Sequence, residues 1–300
     1  MDSSLARPLD RVTEPEIAVF VSGVASMGLE ILAGRIVAPQ FGSSIYTWGS
    51  IIGVFLAALS LGYHYGGKRA EERASIERLS WLLLGTAAYI AVLIFAGDPL
   101  LAAGSAFPLP SRFASLPAVT LLFGPPTYLL GFISPYAAEL STTDAVGEAS
   151  GRVYAVGTVG SILGAFGTTF LLIPTFGIDA IGFLFGALLV GTALVISLPS
   201  IEREPFFATL AVTLMLIAAV GSGAVGVSTG GQVVYQTQTP YQELEVTDLG
   251  DTRTLYLDDQ RHSAMDLDDP TRHVFGYTRY FHMPYLFADD PDEIDRVLFV

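Results

Sequence analysis

The chain has 300 residues, 51% of them hydrophobic and only 15% charged, with a net charge of −14 and no cysteine. This is far from the composition of a soluble globular domain. It excludes disulfides, thiolate catalysis and cysteine-ligated metals, and the acidic balance argues against nucleic acid as a partner. Lys68 is the lone lysine. An acidic, lysine-poor surface suits very high salt, where self-repulsion is screened, so a halophilic source is expected.

Charge divides the chain in two. Residues 1–228 carry 10 basic and 15 acidic groups, whereas residues 229–300 carry 5 and 14. Residues 1–15 form a polar tail, and the apolar run after them is too long for a signal-peptide core, which implies an uncleaved first span. Runs of about 20 apolar residues match a hydrocarbon core of roughly 30 Å. Seven such spans are expected, at 16–38, 46–66, 79–97, 117–138, 153–174, 179–198 and 206–228. The stretch 98–116, with Pro99, Pro108 and Pro110, reads as a loop or re-entrant piece.

Basic residues set the orientation. Arg7 and Arg11 precede the first span, and Lys68, Arg69, Arg73 and Arg78 follow the second. The amino terminus and the 67–78 loop are therefore expected in the cytoplasm. Seven crossings put the tail outside, and an eighth within 98–116 would bring it inside.

Within the spans, Glu30 and Arg35 are the ionisable groups that need an explanation. Arg35 can reach the interface. Glu30 lies deeper and calls for a partner on another helix, with Tyr63 or His64 as candidates, either as a proton or cation site or as a satisfied structural hydrogen bond. Gly157, Gly160, Gly164 and Gly167 share one helix face, which lets a neighbouring backbone approach closely. Gly182 with Gly186, and Gly49 with Gly53, repeat that spacing. Pro125-Pro126 is expected to kink the fourth span.

After the Gly230-Gly231 linker the period changes to two. Val233 to Tyr235 and Glu243 to Thr247 read as strands, and Leu244 and Val246 alternate with polar neighbours. Asp248 to Asp251 forms a turn, Arg253 to Leu257 the returning strand and Asp258-Asp259 a second turn. Thr271 to Phe287 has helical spacing. Asp295 to Val300 reads as the first buried strand of a parallel sheet, the kind that runs into a Gly-rich cofactor loop. The expected fold is thus a helical multi-span membrane bundle (16–228), a small β-rich module (229–290) and the beginning of an α/β domain (291–300). His262, His273 and His282 match no zinc spacing, so no metal site is expected.

The order Tyr241-Gln242, Leu255-Tyr256-Leu257-Asp258, His262-Ser263, Tyr277, His282-Met283-Pro284 and Arg296 to Val300 resembles the amino-terminal β domain of spermidine synthases, the aminopropyltransferases. Together with the spans, and with Ser22-Gly23 to Gly67 in particular, the whole chain resembles the membrane-fused spermidine-synthase-like proteins. That resemblance implies a multi-pass protein of the cell membrane that transfers an aminopropyl group to putrescine or another amine. The co-substrate would be decarboxylated S-adenosylmethionine, with no tightly bound cofactor. Gln242 would hydrogen-bond the nucleoside, since an amide offers donor and acceptor together. Asp258, His262, Tyr277 and His282 would face the amine substrate, with Tyr277 standing where the family has histidine and His262 where it has glutamine. The catalytic aspartate is expected downstream of Val300. The partners are the lipid bilayer and a small polyamine or other amine, and a homo-oligomer is compatible with this reading. Two other readings stay open, a transporter or channel with a degenerate tail, and a related methyl-donor-using enzyme with a non-polyamine acceptor.

Overall fold

Apolar segments in lipid must satisfy every backbone N–H and C=O internally, which makes them helices. The structure is a computed structural model that describes residues 13–141, 146–198, 203–223, 231–239, 242–257, 260–283 and 287. The chain divides into two units, Met1–Gly226 and Val227–Val300. The first contains α1 (Glu14–Phe41), α2 (Ile45–Arg73), α3 (Ile76–Ser105), α4 (Ser115–Gly131), α5 (Ile133–Glu139), α6 (Val146–Gly167), α7 (Ile178–Ser197) and α8 (Arg203–Gly223). Side-chain oxygens start two of them: Ser44 Oγ accepts the Thr47 N–H at 3.2 Å, and Ser75 Oγ accepts that of Arg78 at 3.2 Å.

Six helices are long and apolar enough to cross a membrane, as a multi-pass membrane protein requires: Glu14–Phe41, Ile45–Arg73, Ile76–Ser105, Ser111–Glu139, Gly147–Leu172 and Ile178–Ser197. The seventh span, expected over 206–228, reaches past the described residues; within them α8 carries an apolar helix over Phe207–Gly221.

α1 and α6 run parallel and nearly in contact. A Cβ added to Gly160 would lie 2.2 Å from the Phe20 carbonyl oxygen, and one added to Gly164 would lie 2.3 Å from that of Val24. Only glycine permits this approach. A Cβ at Gly157 would meet Val19 Cγ1 at 3.2 Å, whereas at Gly167, Gly49 and Gly53 it would meet nothing within 4 Å. Two of the four glycines expected on the α6 seam therefore carry the backbone approach, and the Gly49–Gly53 pair packs nothing.

Parallel α1 and α6 require an odd number of crossings between them, met by the three spans of α2, α3 and α4–α5. The turn between α3 and α4 therefore holds no extra span. Residues 98–105 belong to α3, which continues through Pro99 by bending at Ala96 (φ −126°, ψ 19°). Beyond it a 3-10 turn, Ser111–Phe113, leads into α4.

The two prolines of α4 do not interrupt it; the break comes later, at Phe132 between α4 and α5. Pro125 has no N–H to give the carbonyl four residues before it, that of Leu121. The Tyr89 hydroxyl of α3 donates to that oxygen instead, at 2.5 Å. A neighbouring helix thus satisfies the freed group. Tyr89→Phe should lower stability by about 1–3 kcal/mol, the cost of an unsatisfied carbonyl. Thermal unfolding in detergent would check this, and an unchanged midpoint would show that the hydroxyl is dispensable.

The second unit holds a four-stranded antiparallel meander, β1 (Gln232–Gln238), β2 (Glu243–Leu249), β3 (Thr252–Leu257) and β4 (Gln260–Asp266), in the order β1-β2-β3-β4. Gly250 makes the β2–β3 turn with φ +59°, a left-handed conformation that favours glycine. β4 was not expected, since its polar run Gln260-Arg261-His262-Ser263 shows no apolar alternation. Leu244 and Val246 are half-buried, but the fully buried pair is Thr247 opposite Thr254, 4% and 7% exposed.

The helix expected over Thr271 to Phe287 is found in part: residues 271–275 are not helical, whereas Met283 and Phe287 are. The described part also contains a short 3-10 helix, Gly276–His282. Local side-chain bonds compete with the helical ladder. Thr271 N–H and Oγ1 both donate to Asp269 Oδ1, at 3.1 and 2.6 Å, and Thr278 Oγ1 donates to the Phe275 carbonyl at 2.6 Å. The strand expected over 295–300, like residues 291–294 before it, lies outside the described residues.

Candidate functional site

Gln242 sits in the β1–β2 turn rather than within a strand. Thr239 holds its backbone: the Gln242 N–H donates to Thr239 Oγ1 at 2.9 Å, and Thr239 N–H and Oγ1 donate to the Gln242 carbonyl at 3.0 and 2.6 Å. The Gln242 side chain is exposed and makes no hydrogen bond among the described residues. Leu244 pairs with Leu257, and Leu257 with Gln260, so the β1–β2 turn and the start of β4 share one end of the sheet. His262 is near that end. It is the extra residue between the Leu255–Ser263 and Tyr256–Arg261 pairs, a bulge of the kind that re-aims a side chain. Asp258 and Tyr241 lie outside the described residues.

Tyr277 and His282 fall on the 3-10 helix and are exposed. Tyr277 stacks on Phe275, with ring centroids 5.7 Å apart. His282 Nε2 lies 2.8 Å from His273 Nε2, and His273 Nδ1 lies 2.9 Å from Thr278 Oγ1. The Thr278 proton goes to the Phe275 carbonyl, so its oxygen accepts from His273 Nδ1–H. His273 Nε2 is then the acceptor for His282 Nε2–H. This pairing, across nine residues, has no signature in the spacing. The resemblance-implied residues therefore divide into two groups, Gln242 and His262 at one end of the sheet and Tyr277 with His282 on the 3-10 helix.

At the other end of the sheet, Asp248 takes two bonds from Arg253, each 2.7 Å. The guanidinium's hydrogen bond holds the Asp248 carboxyl below the usual carboxylate range. Asp269 is likewise lowered, first by the Thr271 hydroxyl and then by its N–H. These are ordering contacts of turns, and no group of three metal-ligating side chains occurs among the described residues.

Among the membrane helices, α1, α2, α4, α5 and α6 line a half-open cavity of about 130 Å³, with Tyr63 and Tyr154 of its lining exposed. Ser22, Ser26, Tyr63, Ser134, Tyr154, Thr158 and Ser161 supply its polar lining. Ser22 and Thr158 bond back to their own helices, donating to Val19 O at 2.9 Å and Tyr154 O at 2.7 Å. Glu30 lies one helical turn beyond Ser26 and Met27 on α1, half-buried. Neither expected partner, Tyr63 or His64, bonds to it among the described residues. The His64 ring packs instead edge-on against Tyr65, centroids 5.2 Å apart. Arg35 is half-buried near the end of α1.

A contact not anticipated from sequence joins α1 to α6: the Arg152 guanidinium grips the Glu16 carboxylate through Nε and Nη2. The signal available was an acidic first turn on one span and a lone basic residue opening another. No family model matches the chain, and no curated protein and no solved structure matches it either.

Proposed function

We propose that this protein is a membrane-anchored, spermidine-synthase-like aminopropyltransferase whose β-rich module receives decarboxylated S-adenosylmethionine. One observation carries the reading: Gln242 and the bulged His262 are both exposed and lie near the same end of the meander. They sit two strands apart, roughly 10 Å at about 4.8 Å per strand, a span that an adenosyl group can bridge. The held backbone of Gln242 leaves its amide free to give and accept one hydrogen bond each with a nucleoside base or ribose. In the transfer itself, the acceptor amine's lone pair forms a C–N bond to the methylene next to the sulfonium. The C–S bond breaks, methylthioadenosine leaves, and a base takes the amine proton. The leaving group supplies the driving force, so the protein's task is orientation.

The test is calorimetric titration of the full gene product in nanodiscs with decarboxylated S-adenosylmethionine and with methylthioadenosine. Saturable binding is expected, weakened about 10-fold by Gln242→Ala, equivalent to about 1.4 kcal/mol for the lost amide. If the wild type does not bind the donor, or the alanine variant binds it equally well, the reading is wrong.

A further inference from the structure

The cavity among the membrane helices enters none of the steps proposed above, yet its chemistry is specific. Ser26, Ser134 and Ser161 line it, and among the described residues none of their hydroxyls is bonded to another protein group. Ser26 is buried, 7% exposed, and its bare hydroxyl calls for water or a ligand. At roughly 30 Å³ per molecule the space would hold about four waters, or one small organic molecule.

The lining selects the ligand's charge. It contains no arginine or lysine, which argues against an anion. Serine oxygens accept hydrogen bonds, and the rings of Tyr63 and Tyr154 offer negative π faces. On α1 the lining residues Ser22, Gly23, Ser26 and Met27 follow helical spacing, and Glu30 is the next residue of that stripe. A carboxylate one turn away adds a negative field inside a low-dielectric bundle, where ionisable residues mark sites. A bare metal ion needs about six converging oxygens at short range, a poor match to a roomy, aromatic-walled space.

We infer that this cavity is a binding site for a small primary ammonium ion, its three N–H bonds taken by the serine hydroxyls and its alkyl part lying against the tyrosine rings. The inference is independent of the aminopropyltransferase reading.

Ethylammonium chloride is the probe, titrated calorimetrically into the protein in nanodiscs, with sodium chloride as the comparison. Saturable one-to-one binding of ethylammonium is expected. Ser134→Leu, which fills the cavity, should abolish it, Glu30→Gln should weaken it at least 10-fold, and Gln242→Ala should leave it unchanged. Circular dichroism melts establish that each variant is folded. Should Glu30→Gln not fold, Ser134→Leu and the milder Ser161→Ala carry the decision. Absence of saturable ethylammonium binding, equal binding by folded Ser134→Leu, or sodium binding in its place with the same stoichiometry would overturn the assignment.

Discussion

Gly160→Leu should prevent the bundle from forming, and Gly164→Leu should do the same. At these positions an added Cβ would lie 2.2 Å from the Phe20 oxygen and 2.3 Å from the Val24 oxygen. The obstruction is helix backbone, which cannot rotate aside as a side chain can. Overpacking ordinarily costs about 1–3 kcal/mol because neighbours yield. Here α1 and α6 would have to separate along their whole contact, so a loss of more than about 3 kcal/mol is expected, and poor recovery from the membrane with it. Gly167→Leu is the matched control, since it has the same composition change on the same helix with open space at the Cβ. Denaturant titration in mixed micelles would rank the three. Comparable losses at 160 and 167 would mean that the close approach is not what holds the helices together. Gly160 and Gly164 also leave room for Gly157 and Ser161, the neighbouring stripe of α6 that lines the cavity, so a failed seam removes the proposed ammonium site as well.

How much of this could be read from residue order depends on the kind of interaction. The helices were legible because lipid leaves a long apolar run no alternative. The α6 seam was legible in part. Glycine spacing reveals a flat face, but which glycines meet a backbone depends on where the partner helix crosses. Hence Gly160 and Gly164 pack while Gly49 and Gly53 do not. The prolines misled in an instructive way. Pro125-Pro126 was expected to kink α4, and α4 runs without a break through both to Gly131, because whether a freed carbonyl interrupts a helix depends on who else can donate to it. Tyr89 does so from 32 positions before Leu121 in the chain. β4 was invisible because its pairing with β3 comes from backbone bonds along a polar segment, with no apolar face to betray it. The candidate site was legible only as an order of short motifs. That His262 is a bulge and His282 is tied to His273 are facts of register and folding back, and no local pattern encodes them.

Arg152→Leu is the second substitution with a large expected effect, and it should act asymmetrically with its partner. The Glu16 side chain is 10% exposed and that of Arg152 is 41% exposed. Removing the arginine leaves a carboxylate enclosed between helices, relieved among the described residues by the Thr13 N–H at 2.9 Å. Removing the charge of Glu16 by Glu16→Gln leaves a guanidinium on a long stem that reaches water unaided. Loss of one partner of a fully buried pair costs about 3–5 kcal/mol. The exposure of Arg152 brings the expectation down to about 2 kcal/mol for Arg152→Leu, and to less than about 1 kcal/mol for Glu16→Gln. A double-mutant cycle with Glu16→Leu separates the pair's own coupling from the stranded charge. The double leucine variant should recover part of the loss, since apolar replacements of a desolvated pair are tolerated. Equal losses from the two single variants would mean that burial of Glu16 is not the source. The pair also fixes which turn of α1 faces which turn of α6. Arg152 engages Glu16 one turn before Phe20 meets Gly160, so a one-turn slip that would keep glycine against carbonyl would break the ion pair. The glycines allow α6 to approach, and Arg152 selects the register at which Ser161 and Ser26 face the same cavity.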